Sequence, residues 1–191
     1  MTAPVYVILL HYPMVNRRGQ PVTTAVTNLD IHDIARSCRT YGITGYYLVN
    51  PLKEQHDIVT RVLNHWKSDR ALEVHPKRAE ALSRTQIKAT FEEVFEEIRE
   101  THGEDPEVVM PDAKPLPTAV SYTSYREVLA DPKRTRPSVI VLGTGWGVSD
   151  TFYPAVDRFL APIYGPESAG GYNHLSVRAA AAIILDRLFG C

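Results

Sequence analysis

The sequence predicts an α/β fold in which a mostly parallel sheet is flanked by helices. Short β-branched and apolar runs alternate with amphipathic helical patterns along the chain. The first run, Val5–Leu10, is nearly all apolar, as a buried central strand should be. Of the 191 residues, 44% are hydrophobic and 23% are charged, which is typical of one globular domain. The chain contains no internal repeat and no convincing interdomain linker, so we assign residues 1–191 to a single domain.

The later strands are predicted from short apolar runs bounded by turn residues. They are the segments 46–49, 87–89, 119–122, 139–142 and 159–163. Residues 16–21, which read Asn-Arg-Arg-Gly-Gln-Pro, predict a turn after the first strand. The segment 103–117 contains four prolines and is predicted to be a loop, because proline lacks the N–H group that helices and strands use.

The first helix is predicted from an apolar stripe with the spacing i, i+3, i+4 and i+7, formed by Ile31, Ile34, Ala35 and Cys38. Asn28 or Asp30 can cap its start, and Gly42 can end it. Similar patterns predict helices over 58–66, 91–98 and 125–130, whereas 69–89 is less regular. The final helix, 175–189, is apolar on nearly every face, and such a helix is normally buried in a core or against a partner chain.

Several function classes lack their signals in this sequence. The histidines form neither H-x-x-x-H nor H-E-x-x-H, and Gly-x-Ser-x-Gly is missing, so we expect no metal and no serine hydrolase. The net charge of −1 neither supports nor excludes an RNA substrate. Cys38 and Cys191 predict no disulfide framework, and no apolar run reaches the roughly 18–20 residues of a membrane span. We therefore expect a cytoplasmic protein without a membrane partner.

Two glycine-rich segments, each after a late strand, are candidates for a ligand site. The segments are Gly143-Thr144-Gly145-Trp146-Gly147, and 164–174 with Gly165, Gly170 and Gly171. The first does not match the dinucleotide fingerprint G-x-G-x-x-G, because Val148 stands where the third glycine is required. The alternative explanations are a tight turn around a packed Trp146, and helix capping by Asn173 and Ser176.

His32, Arg36 and Arg39 lie on one face of the first helix, with the spacing i, i+4 and i+7. This face is turned away from the apolar stripe and lies near the carboxyl end of the first strand. Guanidinium groups bind phosphate through paired hydrogen bonds, so the face is a candidate anion or phosphate site. The alternative is an ordinary solvated helix face.

Three segments together resemble the three motifs of the SPOUT (SpoU–TrmD) RNA methyltransferases in order, spacing and strand context. The first, 27–42, has Arg36 six residues before Gly42; the second is the strand 139–142 with its glycine loop; the third joins 162–165 to 172–181. The runs 24–36 and 172–178 also resemble a little-characterised bacterial subfamily. Its members are sometimes fused to, or found beside, the enzyme that makes 1-methylguanosine in tRNA.

The resemblance implies a C-terminal deep trefoil knot and a homodimer packed around it. It implies S-adenosylmethionine as the cofactor, bent among the knot loops with its adenine held largely by backbone groups. The cofactor-binding positions carried over are Tyr122, Leu142, Gly143, Thr144, Gly147, Ile163, Gly165, Asn173, Leu175 and Ser176. RNA, above all tRNA, is the implied substrate, and the tRNA (guanine-N1)-methyltransferase is a candidate partner.

For the methyl acceptor, the resemblance places Arg36 at the catalytic site, and His32 and Asn28 are the further catalytic candidates on the same helix. Arg36 would hold a phosphate or the developing alkoxide, because a guanidinium is too basic to take the proton. His32 would accept the proton near neutral pH. The chain has Asp30, His32 and Gly145 where ribose methylators typically have asparagine, glycine and glutamate. Ribose 2′-O-methylation is the reaction that the resemblance implies, and these departures leave base N-methylation and cofactor binding without catalysis open.

Overall fold

A six-stranded parallel sheet forms the centre of the computed structural model, which describes residues 3–191. The strands are β1 (Val5–Leu10), β2 (Met14–Val15), β3 (Pro21–Val22), β4 (Gly45–Val49), β5 (Thr85–Lys88), β6 (Glu107–Pro111), β7 (Ser138–Leu142) and β8 (Arg158–Leu160). The helices are α1 (Asn28–Thr40), α2 (Lys53–Trp66), α3 (Asp69–Val74), α4 (Pro76–Leu82), α5 (Phe91–His102), α6 (Tyr122–Ala130) and α7 (Val177–Phe189). The sheet order is β5-β4-β1-β7-β6-β8, and β2 and β3 form a separate antiparallel hairpin.

The central strand β1 pairs in parallel with β4 on one side and β7 on the other, and all six of its side chains are buried. Alternate side chains of a strand point to opposite faces of a sheet. Val5, Val7 and Leu9 accordingly join the core formed with α1, α2, α6 and α7, and the residues between them join the core formed with α5. The predicted α/β class and the predicted buried first strand are thus confirmed.

Helix α1 buries the predicted stripe of Ile31, Ile34, Ala35 and Cys38. The predicted N-caps Asn28 and Asp30 are wrong, because the helix begins at Asn28 and Thr27 is its N-cap, whereas Gly42, with a φ of 71°, follows the helix end as predicted. The Thr27 hydroxyl accepts a hydrogen bond from the Asp30 N–H at 3.2 Å, and the Asp30 carboxylate accepts one from the Thr27 N–H at 3.3 Å. This reciprocal capping box explains why Asp30 is buried at the helix start.

The prediction of a continuous loop over 103–117 is wrong, because β6 lies inside it, between β7 and β8. The prolines bound the strand instead of interrupting it, since Pro106 precedes it and Pro111 is its last residue. At its start, the buried Glu107 carboxylate pairs with Arg134 at 2.8 Å and Arg158 at 3.0 Å. Burial and these ion pairs hold the segment in the sheet.

The predicted strand over 119–122 is also wrong. Val120 makes a single bridge to Leu160 at the sheet edge, and α6 already begins at Tyr122, capped by the Ser121 hydroxyl. The predicted strand over 159–163 is shorter and lies at Arg158–Leu160. The final helix starts at Val177, two residues later than predicted, and the irregular region 69–89 contains α3, α4 and β5. Within residues 3–191, no helix is long and apolar enough to cross a membrane.

We expect Val109→Ala to lower the free energy of unfolding by about 2 kcal/mol, because Val109 is completely buried in the middle of β6. Val74→Ala is the matched control, since Val74 is 57% exposed and should change stability by less than about 0.5 kcal/mol. Urea unfolding of the two variants measures both values. Equal effects would contradict the burial of β6.

Candidate functional site

A cavity of about 800 Å³ opens at the carboxyl edge of the sheet, where β6, β7 and β8 end. Its walls come from segments that are distant in sequence: 24–30 before and within α1, 110–114 after β6, 142–148 after β7, and 173–177 before α7. The volume lies within the range of about 300–1,000 Å³ typical of small-molecule sites. The carboxyl edge of a parallel sheet is also where open α/β folds bind ligands.

The loop after β7 uses its glycines for two different purposes. A Cβ atom on Gly143 would lie 2.5 Å from Cγ2 of Val148, so Gly143 is required by packing within the loop itself. Gly147 has a φ of 108°, which side-chain-bearing residues rarely adopt, and no atom lies within 4 Å of the position of its Cβ. Its backbone therefore borders open space at the cavity.

A chain of hydrogen bonds fastens this loop to β1 and to the hairpin. The hydroxyls of Thr24 and Thr144 are 2.6 Å apart, and Nδ1 of His11 lies 2.9 Å from the Thr24 hydroxyl. The Val15 N–H donates to the Gly147 carbonyl at 3.0 Å. The sequence reasoning missed His11 and Thr24, although a histidine directly after a buried strand is a signal that could have drawn attention to the first.

Burial lowers the pKa of His11 to about 4, although the negative charge of Asp30 acts in the opposite direction. The imidazole is therefore neutral at pH 7. Its Nε2 atom is buried without a hydrogen-bond partner, so protonation inside the protein would leave a positive charge poorly solvated.

Tyr122 contributes a polar group to the opposite wall of the cavity. Its hydroxyl is buried and has no hydrogen-bond partner, and burial raises the pKa of this phenol to about 12. The hydroxyl therefore stays protonated and available to a ligand. Nearby, the Asn173 side chain donates to the Ala113 carbonyl at 2.9 Å, while the Ser176 hydroxyl caps α7.

The structure brings nine of the ten expected cofactor-binding residues to this one cavity. They are Tyr122, Leu142, Gly143, Thr144, Gly147, Ile163, Asn173, Leu175 and Ser176. Gly165 does not line it. The expected catalytic residues Arg36, His32 and Asn28 do not line it either, whereas Asp30 does.

Arg36 instead lines a second, open cavity of about 260 Å³ together with His75, Pro76, Lys77 and Arg78. The other lining side chains come from the start of α4 and the residue before it, which pack beside α1. Three cationic side chains thus surround one small space, while Arg39 is already paired with Glu80 at 2.5 Å.

His32 lies beside this second cavity, with its ring edge-on to Trp66 at 5.3 Å, and the Arg78 guanidinium covers the same indole at 5.2 Å. Burial, then the nearby positive charge of Arg78, lowers the pKa of His32. Its Nδ1 atom is buried without a partner, and Asn28 is exposed at the first position of α1. In the part of the chain that the structure describes, no three His, Cys, Asp or Glu side chains are placed to hold a metal ion.

The family model of an S-adenosylmethionine-dependent RNA methyltransferase matches residues 4–190, which is nearly the whole chain. The chain belongs to this family. The chain is thus a transferase that uses S-adenosylmethionine.

Individual relatives match over 185 residues, 97% of the chain. An uncharacterized protein of Aquifex aeolicus is 41% identical, and the match covers 88% of that protein. A tRNA (guanine-N(1)-)-methyltransferase of Oleidesulfovibrio alaskensis is 37% identical, but the chain spans only 42% of its length. Among solved structures, the chain is similar to the SpoU methyltransferase AviRb of Streptomyces viridochromogenes in complex with AdoMet, with a TM-score of 0.55. The two sequences are 16% identical, and the match covers 99% of this chain and 58% of that one. This last likeness concerns the fold.

We expect the stability of this methyltransferase to fall as the pH drops from about 6.5 to about 4, partly through His11. The unfolded chain takes up this proton near pH 6.5 and the folded protein only near pH 4, so the contribution is complete above pH 6.5 and lost toward pH 4. It amounts to at most about 3 kcal/mol.

Urea unfolding at several pH values measures this effect. His11→Asn should flatten the pH dependence, because asparagine can still hydrogen-bond Thr24 but does not titrate. His65→Asn, on the exposed side of α2, should retain the wild-type slope. Identical slopes for all three proteins would contradict the assignment to His11.

Proposed function

We propose that this methyltransferase transfers a methyl group from S-adenosylmethionine to a ribose 2′-hydroxyl of RNA, above all tRNA. The observation that carries the proposal is the convergence of nine expected cofactor-binding residues on one cavity at the carboxyl edge of the sheet. An RNA substrate also places the reaction in the cytoplasm.

The large cavity suits the cofactor in size and in polar groups. A volume of about 800 Å³ accommodates a nucleoside with an amino-acid side arm. The unpartnered Tyr122 hydroxyl would supply a hydrogen bond to it, and the open space beside Gly147 would let it approach the loop closely. The apolar wall of Leu142, Ile163 and Leu175 would exclude water from the adenine. S-adenosylmethionine supplies a methyl group already activated by its sulfonium, so the protein mainly has to align the acceptor and exclude water.

For the acceptor, the second cavity supplies positive charge. Arg36, Lys77 and Arg78 would hold an RNA phosphate, since paired guanidinium contacts suit phosphate oxygens. Burial and Arg78 lower the pKa of His32, so its imidazole is neutral at pH 7 and able to take the 2′-hydroxyl proton. Asn28 is exposed at the start of α1 and would contact the same strand of RNA.

Arg36 and His32 lie outside the lining of the cofactor cavity of their own copy. Their proposed roles therefore require an RNA that reaches both cavities or a second copy that brings the two together. A homodimer packed around a C-terminal knot, as the SPOUT resemblance implies, would meet this requirement, with α7 at its interface. A mixture of an Arg36→Ala protein with a Gly147→Ala protein should then recover activity that neither has alone.

Two alternatives follow from the chain's relatives and its departures from the motifs. Two relatives are named tRNA (guanine-N(1)-)-methyltransferase, and this chain spans 42% of the length of each. Their name favours base N-methylation. The same enzyme is also the candidate partner. Cofactor binding without catalysis is favoured by Asp30, His32 and Gly145, which stand where ribose methylators typically have asparagine, glycine and glutamate.

Incubation of the protein with radiolabelled S-adenosylmethionine and bulk tRNA tests the proposal. Nucleoside digestion should recover the label as 2′-O-methylnucleosides. Label recovered in a methylated base would instead indicate base N-methylation. Cofactor binding measured by calorimetry, without any methyl transfer, would indicate a binding protein without catalysis.

We expect Gly147→Ala to weaken S-adenosylmethionine binding about tenfold or more, because a side chain at a φ of 108° must shift the loop backbone at the cavity. Gly103→Ala is the matched control, since Gly103 also has a positive φ, 68°, but ends α5 away from the cavity. Calorimetry should show normal cofactor affinity for the control, and equal losses would contradict the assignment of Gly147.

We expect Arg36→Ala to lower methyl transfer about 100-fold without changing cofactor affinity, because Arg36 lies outside the cofactor cavity. Arg39→Ala removes the same charge from the same helix, but Arg39 is engaged with Glu80, so its loss should change the rate less than threefold. Single-turnover rates separate the two, and equal rates for both variants would contradict the role of Arg36.

A further inference from the structure

Trp146 is an exposed indole at the large cavity. Its side chain is 60% exposed, although it belongs to the glycine loop that lines the large cavity. An indole in water forgoes the hydrophobic stabilisation that its large apolar surface would give in a core. The donor site proposed above assigns no role to this side chain.

The loop holds Trp146 in a defined position. Gly145 and Gly147 on either side have positive φ values of 60° and 108°, which turn the backbone sharply at both neighbours. The Gly147 carbonyl accepts from the Val15 N–H at 3.0 Å, and Val148 bridges to Met14. An exposed ring on such a fastened loop is preorganised for contact with a partner.

Positive charge lies directly beside the ring. The Arg17 guanidinium lies 5.3 Å from the centre of the Trp146 ring, a cation–π arrangement. Arg17 and Arg18 occupy the exposed turn between β2 and β3. A planar cation stacked over an indole supplies a positive charge for the phosphate and a flat surface for the base of a nucleotide.

The second glycine-rich segment carries another exposed ring. Tyr172 is 69% exposed and packs edge-on against His174 at 5.4 Å, and His174 lines the same cavity as Trp146. Exposed aromatic rings therefore belong to both glycine-rich segments of the cavity.

We propose that Trp146 and Arg17 form a stacking site for an unpaired base of the RNA substrate, so that the enzyme acts on single-stranded or loop RNA and not on duplex. The inference rests on the proposed function, because it places the bound base next to the methyl-donor cavity. Bases within an A-form duplex stack on each other and offer no free face to an indole, whereas unpaired bases do. The family membership and the local positive charge favour RNA over a protein partner on this surface.

The fluorescence of Trp146 reports this contact without any catalysis. The chain has two tryptophans, so Trp66→Phe leaves Trp146 as the only indole and Trp146→Phe leaves only Trp66. The probe is a ten-nucleotide RNA without self-complementarity, titrated alone and as a duplex with its complement, in the absence of cofactor. The single strand should quench the Trp66→Phe protein strongly and the Trp146→Phe protein less, because Trp66 lies against Arg78 at the second cavity and reports only phosphate binding there. The duplex should bind about tenfold more weakly and should not quench the Trp66→Phe protein.

Affinity measurements on substituted proteins complete the test. Trp146→Ala should weaken binding of the single strand about tenfold, Trp146→Phe should restore most of it, and cofactor affinity should stay within about threefold. Arg17→Ala should weaken RNA binding more than Arg18→Ala, which removes the same charge without the stacked guanidinium.

Equal quenching by duplex and single strand would overturn the proposal. So would a Trp146→Ala protein that keeps its RNA affinity, loses cofactor affinity instead, or changes only its oligomeric state. Failure of 2′-O-methyl transfer is a separate result, since quenching by the single strand would persist in a protein that methylates a base or nothing.

Discussion

The Thr24 hydroxyl joins three parts of the chain, and the shape of the large cavity depends on this junction. It contacts Nδ1 of His11 at the end of β1 and the Thr144 hydroxyl in the loop after β7. Because β1 and β7 are neighbours in the sheet, their ends are already close. One short side chain is therefore enough to connect the end of β1 to the loop after β7. The loop after β7, with the exposed Trp146, is therefore tied to the end of β1 through a single hydrogen-bonded unit.

Local hydrophobic patterns predicted β1 and the buried stripe of α1 correctly, because a continuous apolar run and a helical period are both visible within ten residues. β6 was missed because its prolines suggest a loop, and only the sheet order shows that they bound a strand buried on both sides. The expected cofactor positions came from the family resemblance, and nine of them line one cavity, because the segments after β7 and before α7 meet at the carboxyl edge of the sheet. The helical pattern placed Arg36 on a polar face of α1. It could not show that α4 packs beside this face, because that contact is set by tertiary packing.

Helix α1 separates the two cavities. Asp30 in its first turn borders the large cavity, and Arg36 borders the cationic one six residues later, about 9 Å along the axis. The large cavity offers backbone, apolar surface and one free phenol, whereas the cationic cavity offers guanidinium and ammonium groups. This division would suit the adenosine part of the cofactor in one cavity and a polyanion in the other.

Several side chains of the large cavity also belong to the main hydrophobic core. Leu142, Tyr122 and Ile184 are buried core residues, and Ile163 and Ala180 pack against the same core. The cavity is thus continuous with the interior, and a ligand bound there packs against the core. A ligand that binds only the folded chain stabilises it, so the free energy of unfolding would rise with the concentration of cofactor bound there. Substitutions that fill this part of the interior with larger side chains would raise stability, but they would close the space that the reaction needs. The protein therefore forgoes this additional stability.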